Sequence, residues 1–439
     1  MTKQWRRAAS STTQKAVRAP PKRDAEDMKS LRELYRIGLG PSSSHTMGPR
    51  FAAEDFKAAY PTAARLRVTL YGTLAATGRG HLTDLAVSAP FSPTPVDIVW
   101  LPDHSLPRHP NGIQFEALDT DDSVLARRVV YSVGGGALLD EDGRPDGGDD
   151  IYPYAGMQAI LEETERERLM IWELVDHHEG PAIRPYLRAI WISMQKTIAA
   201  GLNAEGRLPG TLNVPRKASA YHARAQNLAG YFGQTALQFA YALAVSEENA
   251  AGGEVVTAPT CGASGVLPAV LFFLQQQAKL SDEKIHRALA TAGLIGNIVK
   301  RNASISGAEV GCQGEVGTAC AMAAAAAAQL LGGSVRQIEY ASEMGLEHHL
   351  GLTCDPIGGY VQIPCIERNA VAAVRAVDCA AYALLSDGQH IVSFDEVVRT
   401  MWETGRDMKA SYRETARGGL ARVHAVRKKG AGSVPGMGS

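Results

Sequence analysis

The pattern of hydrophobic and polar positions changes near residue 150. Before that point, residues 47–60 place apolar side chains at helical spacing, and four later segments alternate or run apolar: RLRVTLYG, PVDIVWL, GIQFEAL and RRVVYSVGGG. These four segments are rich in β-branched and aromatic residues, and proline, glycine and aspartate separate them as turns between strands require. The mixture predicts an α+β domain over residues 28–153.

Helical periodicity dominates the following residues, 154–422. One segment repeats Ile285, Leu289 and Ile295 on one face and begins after Ser281, a residue type that caps helices. Residues 319–328 are almost all small, which predicts a helix that neighbours surround on every side. The predicted fold class is therefore an α+β N-terminal domain followed by a larger all-α helical C-terminal domain.

The two ends of the chain differ from these domains. The first 23 residues hold seven Lys or Arg and no acidic residue, which predicts a basic disordered arm over residues 1–27. An organelle-targeting segment is the alternative, but it fits less well because the arm lacks an apolar helical face. We expect residues 423–439 to form a flexible tail.

Composition narrows the class of protein. The formal net charge is -1, so charge gives no reason to expect nucleic acid or a membrane as a partner. No apolar run reaches about 18 residues, the length that a membrane-spanning helix needs. Six cysteines in 439 residues do not make a disulfide framework, and no signal peptide is apparent, so we expect a cytoplasmic protein.

The segment GPSSSHT, just before a predicted helix start, is the first candidate site. The hydroxyls of Ser42, Ser43, Ser44 and Thr46, together with backbone N–H groups at a helix N-terminus, suit a carboxylate or phosphate. His45 adds a group that titrates near neutral pH and can transfer protons. The alternative is that these residues only cap the helix.

Three cysteines in glycine- and proline-punctuated segments form the second candidate site. Cys312, Cys354 and Cys365 have the spacing C-x41-C-x10-C, which is neither a zinc-knuckle nor a thioredoxin pattern. Thiolates are the usual ligands of iron–sulfur clusters, although isolated cysteines are more often structural. By contrast, Cys320 and Cys379 lie within apolar helical runs and are expected to be buried as small hydrophobic side chains.

Two further segments contain candidate residues. APTCGASG, which includes Cys261, is composed of small residues that permit either a ligand or a tight interhelical turn. His348 and His349 follow one another, so on a helix they point to different faces, and we keep them as outer neighbours of a metal site.

Taken together, these strings resemble the iron–sulfur-dependent L-serine dehydratases, in the single-chain form that fuses two domains found elsewhere as separate subunits. The resemblance extends in order from about residue 28 to residue 420. It rests on LRELYRIGLGPSSSHTMGP, TLYGTLAATGRGHLTD, NAEGRLPGTLNV, APTCGASGVLPAVL, KRNASISGAEVGCQGEVGTACAMAAAA, EHHLGLTCDPIGGYVQIPCIERNA and DGQHIVSFDEVV.

The resemblance implies a cofactor and a reaction. In this family three cysteines hold a [4Fe–4S] cluster, and Cys312, Cys354 and Cys365 occupy those motif positions. The open iron acts as a Lewis acid on the hydroxyl of L-serine, a base removes the α-proton, and aminoacrylate hydrolyses to pyruvate and ammonia. His45 is our candidate for proton transfer, a hypothesis that rests on its chemistry and its motif position.

The same resemblance implies the substrate-binding residues and the partners. The GPSSSHT loop holds the substrate carboxylate across the domain junction, and Asn302 and Ser304 are assigned to the substrate site with it. We expect L-serine as the small-molecule substrate, a homo-oligomer such as a dimer, and neither nucleic acid nor a membrane as partners.

Two departures from the family pattern affect these expectations. Members of this family commonly end with a cysteine, which in some of them fills the open iron position when substrate is absent, whereas no cysteine follows Cys379 here. We therefore expect water or a small anion at that position. Cys261 stands where many relatives have asparagine, so it is either a neutral replacement or an additional thiol near the site.

Three other functions compete with serine dehydration. L-cysteine desulfidation on the same cluster is possible because thiolate is a soft ligand for iron. A non-catalytic serine-sensing protein is the alternative outside the enzymes. A pyridoxal-phosphate enzyme is disfavoured because the nearest Schiff-base candidate, Lys300, has no convincing sequence context.

Overall fold

The computed structural model describes residues 28–145, 148 and 150–431 of the chain. Strands and short helices fill the N-terminal region up to about residue 145, and helices fill the region from Met157 onward. The predicted order of an α+β region followed by a helical region is therefore confirmed. The predicted basic arm, residues 1–27, lies outside the described residues.

The strands are short, and all but one belong to the N-terminal region. Their bounds are β1 (Met28–Lys29), β2 (Ile37–Leu39), β3 (Arg65–Tyr71), β4 (Val96–Leu101), β5 (Gly112–Leu118), β6 (Val124–Ser132), β7 (Leu138–Asp140), β8 (Asp150–Tyr152) and β9 (Glu254–Val256).

One five-stranded sheet has the order β4-β3-β5-β6-β7. Strands β3 and β4 are parallel, and the other neighbours are antiparallel. Two small antiparallel pairs, β1 with β8 and β2 with β9, complete the strand pairing.

The helices are listed in chain order. They are α1 (Gly48–Ala59), α2 (Gly72–Thr77), α3 (Thr83–Ser88), α4 (Met157–Glu167), α5 (Ile171–Glu179), α6 (Ile183–Asn203), α7 (Ala218–Ala225), α8 (Gly230–Ala250), α9 (Val266–Ala278), α10 (Asp282–Asn302), α11 (Gly307–Val310), α12 (Thr318–Leu330), α13 (Val335–Glu347), α14 (Cys365–Leu384), α15 (Phe394–Asp407) and α16 (Gly419–Ala431). None of the described helices is long and apolar enough to cross a membrane.

The N-terminal core forms where α1 covers one face of the sheet. Phe56 of α1 and Phe115 of β5 are both fully buried and stack with their ring centroids 5.3 Å apart. Val68 and Leu70 of β3 belong to the same cluster. This packing anchors α1, and the loop that precedes α1 is held in place with it.

Helix α12 is the centre of the helical region. It packs against α9, α10, α13 and α14. Every alanine from Ala319 to Ala328 is fully buried, as the run of small residues predicted. At Gly345 of α13 a Cβ atom would lie only 3.0 Å from the Cα atom of Ala321, so small residues on both helices permit this close crossing. The predicted burial of Cys320 and Cys379 is confirmed as well.

The pairing of β2 with β9 joins the two regions. Ile37 pairs with Val256, and the next residue after β2, Gly40, donates its N–H to the carbonyl of Gly253 at 2.9 Å. The GPSSSHT segment begins at this point. Strand pairing therefore places that segment against the helical region, although the two are more than 200 residues apart in the sequence.

Helix α16 is the last element of the described residues, and the flexible tail over residues 423–439 stays a prediction. Its first turn is anchored by Asp355, whose Oδ2 atom accepts the N–H of Leu420 at 2.6 Å. The carboxylate satisfies a helix N-terminal donor and interacts favourably with the helix dipole. Residues 432–439 lie outside the described residues.

Candidate functional site

The GPSSSHT loop leads into a single π-helical turn, Ser43–Met47, immediately before α1. The hydroxyl of Ser42 accepts the N–H of His45 at 3.2 Å, and the hydroxyl of Thr46 accepts the N–H of Ser42 at 3.2 Å and donates to the carbonyl of His81 at 2.6 Å. Ser42 and Thr46 thus support the turn itself. All the hydroxyl side chains of this loop are buried.

His45 lies at the centre of this turn and is fully buried. Its Nδ1 atom is 2.9 Å from the Ser44 hydroxyl oxygen and 3.7 Å from Oε1 of Glu414. Burial lowers the pKa of His45 to about 4; the Thr73 backbone opposes this shift, and the charge of His109 adds to it. The imidazole is therefore neutral at neutral pH and can accept a proton.

His81 faces His45 from the segment that precedes α3. The two ring centroids are 4.5 Å apart, and the hydroxyl of Thr83 donates to the backbone carbonyl of His45 at 2.6 Å. Burial lowers the pKa of His81, and the charge of His45 lowers it further. Sequence reasoning did not select His81, although it stands in the matched string TLYGTLAATGRGHLTD.

The three predicted thiols lie at loop ends and helix starts of the helical region. Cys312 precedes the turn Gln313–Gly317, Cys354 lies in a loop, and Cys365 is the first residue of α14. Cys312 and Cys354 are buried, and Cys365 is partly buried. Burial raises the pKa of all three thiols, to about 11 for Cys312. The charges of Cys312 and Cys365 further raise the pKa of Cys354, so the three sulfurs act on one another.

Two charged side chains accompany the thiols. Arg368 hydrogen-bonds to Cys312 and donates from Nη1 to the carbonyl of Thr353 at 2.6 Å. Glu315 is partly buried, with its Oε2 atom 3.9 Å from Cys354 Sγ and its Oε1 atom accepting from the Thr260 hydroxyl at 2.9 Å. Burial raises the pKa of Glu315. The sequence analysis gave Glu315 no role of its own.

Glu414 connects the thiols to His45. Its N–H donates to the carbonyl of Cys354 at 2.7 Å, and the N–H of Cys354 donates to the carbonyl of Tyr412 at 2.8 Å. Burial raises the pKa of Glu414, and the charge of Glu315 raises it further. The C-terminal segment therefore lies between the thiol loop and the imidazole, a placement that the sequence pattern did not indicate.

The other predicted substrate residues make contacts of their own. Asn302 donates to the carbonyl of Ala155 at 2.9 Å and accepts from Arg301 at 2.9 Å. The hydroxyl of Ser304 donates to the carboxylate of Glu309. These bonds engage the side chains of both residues in the protein, and neither residue has a described contact with His45 or the thiols.

The remaining candidates occupy different environments. Cys261 is fully buried in a short turn, and burial, together with the charge of Glu315, raises the pKa of its thiol. His349 is buried with Nδ1 2.8 Å from the carbonyl of Gly345, whereas His348 is exposed, so the two imidazoles do point to different faces.

A cavity of about 510 Å³ opens at the junction of the two regions. Thr73 and Ser105 line it from the N-terminal region, and Glu309, Arg413 and Arg406 line it from the helical region. It adjoins the site because Arg413 precedes Glu414 and the Thr73 backbone also acts on His45. Its arginine side chains give it a positive lining suited to an anionic group.

Comparison with known proteins decides the family. The family model described as serine dehydratase alpha chain matches residues 155–421, and the one described as serine dehydratase beta chain matches residues 30–93 and 88–143. The chain belongs to the serine dehydratase family. Both models match one polypeptide, in the order beta then alpha, which confirms the predicted single-chain form of the family.

Named relatives of this family are similar over nearly their whole length. The chain is 45% identical to the L-serine dehydratase of Streptomyces coelicolor, covering 89% of this chain and 98% of the relative. It is 42% identical to L-serine dehydratase 1 of Escherichia coli, covering 90% and 99% of the two chains. It is also 42% identical to the L-serine dehydratase of Mycobacterium tuberculosis, covering 89% and 97%. The predicted enzyme class, an ammonia-lyase, is confirmed at this level.

Proposed function

We propose that this member of the serine dehydratase family converts L-serine to pyruvate and ammonia. The relatives that match it over nearly their full length carry the name L-serine dehydratase. The structural observation that carries the proposal is the meeting of a neutral buried histidine, His45, with the thiol loop through Glu414. The alternatives, cysteine desulfidation and serine sensing, gain no support from the relatives' names.

The donor set supports a [4Fe–4S] cluster held by Cys312, Cys354 and Cys365. Such clusters are bound by cysteine thiolates; Cys312 and Cys354 are buried, Cys365 is partly buried, and the three thiols act electrostatically on one another. Arg368 hydrogen-bonds to Cys312 and brings positive charge that favours the thiolate form. When bound, the cluster supplies a Lewis-acidic iron that polarises the bond to the substrate hydroxyl.

His45 is proposed to take the α-proton of the substrate. Nδ1 is directed at the Ser44 hydroxyl, and Nε2 has no hydrogen bond of ordinary geometry, so Nε2 is the atom available to receive a proton. The low pKa keeps this nitrogen unprotonated at neutral pH. Glu414 faces the ring at 3.7 Å and can stabilise the imidazolium that forms.

The substrate carboxylate is proposed to bind in the GPSSSHT loop after passing through the junction cavity. Ser42 and Thr46 already support the turn, which leaves the hydroxyls of Ser43 and Ser44 and the backbone N–H groups as the proposed donors. The arginines of the cavity, Arg406 and Arg413, would attract the anionic end of the substrate. The assignments of Asn302 and Ser304 stay predictions, as does a homodimer.

Anaerobic purification of the wild type and of Cys354→Ser tests the cofactor assignment. We expect the wild type to contain iron and sulfide and to form pyruvate from L-serine. Cys354→Ser should lose most of both properties because one of three protein ligands is absent. Cys320→Ala is the matched control, since Cys320 is equally buried but lies within α12.

The outcomes separate the parts of the proposal. If Cys354→Ser keeps full iron content and full activity, the ligand assignment is wrong. If the wild type holds iron and sulfide but forms no pyruvate from L-serine, the proposed reaction is wrong while the cofactor assignment stands.

A further inference from the structure

Three buried side chains from distant parts of the chain converge beside the proposed catalytic histidine. His45, His81 and Glu414 can each offer one ligand atom, and these atoms all lie within 4.8 Å of one another. Among the described residues, this is the one group of three or more His, Cys, Asp or Glu side chains whose ligand atoms lie that close together. Two come from the N-terminal region and the third from the C-terminal segment.

The nitrogen atoms of this group are short of partners. Nε2 of His45 and both ring nitrogens of His81 are buried without a hydrogen bond of ordinary geometry. A buried polar atom left unsatisfied costs about 1–3 kcal/mol, so native proteins leave few of them. An occupant that interacts with these nitrogens would remove that cost.

We infer that His45, His81 and Glu414 form a binding site for a divalent transition-metal ion of the Zn²⁺ and Fe²⁺ class, separate from the three thiols. Two imidazoles and one carboxylate are an established ligand set for these ions, and they leave at least one position for water or substrate. Zinc binds nitrogen at about 2.0–2.1 Å, which places tetrahedral ligand atoms about 3.3 Å apart. The ligand atoms, which lie within 4.8 Å of one another, would therefore approach by up to about 1.5 Å.

Occupation of this site has a functional consequence. A metal ion on His45 removes the lone pair that the proposed reaction uses for proton transfer. The ion therefore acts as an inhibitor of the enzyme. Whether the ion binds to the three side chains does not depend on the proposed reaction, whereas the inhibition does. This consequence makes the two ideas separable by experiment.

Zinc titration of the anaerobic holoenzyme tests the site. We expect one equivalent of Zn²⁺ to bind with loss of activity and without loss of iron, and removal by a chelator to restore activity. Zinc X-ray absorption should show only nitrogen and oxygen neighbours, since a thiolate ligand would appear at the longer distance of about 2.3 Å. His81→Gln and Glu414→Gln should each weaken this binding more than about 100-fold.

His348→Gln is the control, because His348 is an exposed histidine outside the group and should leave zinc binding unchanged. Circular dichroism and iron content establish that the variants are folded. If one of the two ligand variants does not fold, the other is sufficient for the test. Sulfur neighbours, displacement of iron, or unchanged binding in a folded ligand variant would overturn the site. Binding with nitrogen and oxygen ligands but no inhibition would support the site and instead contradict the proton-transfer role of His45.

Discussion

The Nδ1 atom of His45 lies 3.7 Å from Oε1 of Glu414, although the two residues stand near opposite ends of the described chain. Both side chains are almost completely buried. His45 is held by the turn before α1, and Glu414 is held by the backbone of Cys354. The contact therefore links the GPSSSHT loop, through Glu414, to Cys354, a proposed cluster ligand.

Replacement of His45 by glutamine should lower kcat for L-serine by about 10²–10⁴-fold, the usual contribution of a proton-transfer group. Iron and sulfide content should stay at the wild-type value, because His45 contacts none of the three thiols in the structure. Pyruvate formation and iron analysis on the same samples check this. His348→Gln serves as the control, and loss of iron in the His45 variant would mean a structural role.

Replacement of Glu414 by glutamine should reduce kcat by about 10–100-fold and change KM little, since partners that orient a functional histidine have effects of this size. Glutamine keeps the shape and removes the carboxyl group whose Oε1 atom faces the imidazole. Steady-state kinetics on L-serine separate the two constants. An increase in KM at unchanged kcat would instead assign Glu414 to substrate binding.

Lys300 should make stability depend on pH. Burial lowers its pKa from 10.5 to about 7; the charge of Arg36 lowers it further, and Glu33 opposes the shift. Between these values the unfolded chain binds a proton that the folded protein does not, so the free energy of unfolding rises with pH, by at most about 1.4 kcal/mol per unit. Lys300→Met should flatten that rise.

Urea denaturation at several pH values between about 7 and about 9 measures the slope for Lys300→Met and the wild type. Lys196→Met, at an exposed position of α6, should keep the wild-type slope. Equal slopes in all three proteins would contradict the assignment to Lys300.

Gly201 permits the close crossing of α6 and α8. A Cβ atom at this position would lie 2.2 Å from the carbonyl oxygen of Ala244. We expect Gly201→Ala to lower the free energy of unfolding by about 1–3 kcal/mol, because overpacking outweighs the higher helix propensity of alanine. Ala200→Ser, at an exposed neighbour, should change stability by less than about 0.5 kcal/mol. A stabilised Gly201→Ala variant would show that the two helices can separate without cost.

Local sequence pattern predicted the elements that depend mainly on their own residues. The run Ala319–Ala328 indicated a fully buried helix, because a helix without bulky or polar side chains can be covered on all sides. The apolar face over residues 47–60 likewise predicted α1. The anchoring of α16 by Asp355 was not predicted, because it is a long-range contact that no local pattern contains.

The candidate site was predicted in part. The motif positions of His45, Cys312, Cys354 and Cys365 could be selected because their residue types carry recognisable chemistry. His81 was missed, since a single histidine in a loop has no distinguishing signal until its burial is known.

The sequence by itself determined the two-region architecture, the central small-residue helix and the residue types that can carry the chemistry. Only the tertiary structure decided which of these residues lie next to one another. Strand β2 pairs with β9, and the segment around Glu414 pairs with Cys354, across separations that hydrophobic periodicity does not encode. The low pKa of His45 has the same origin, because desolvation depends on what surrounds a side chain rather than on its neighbours in sequence.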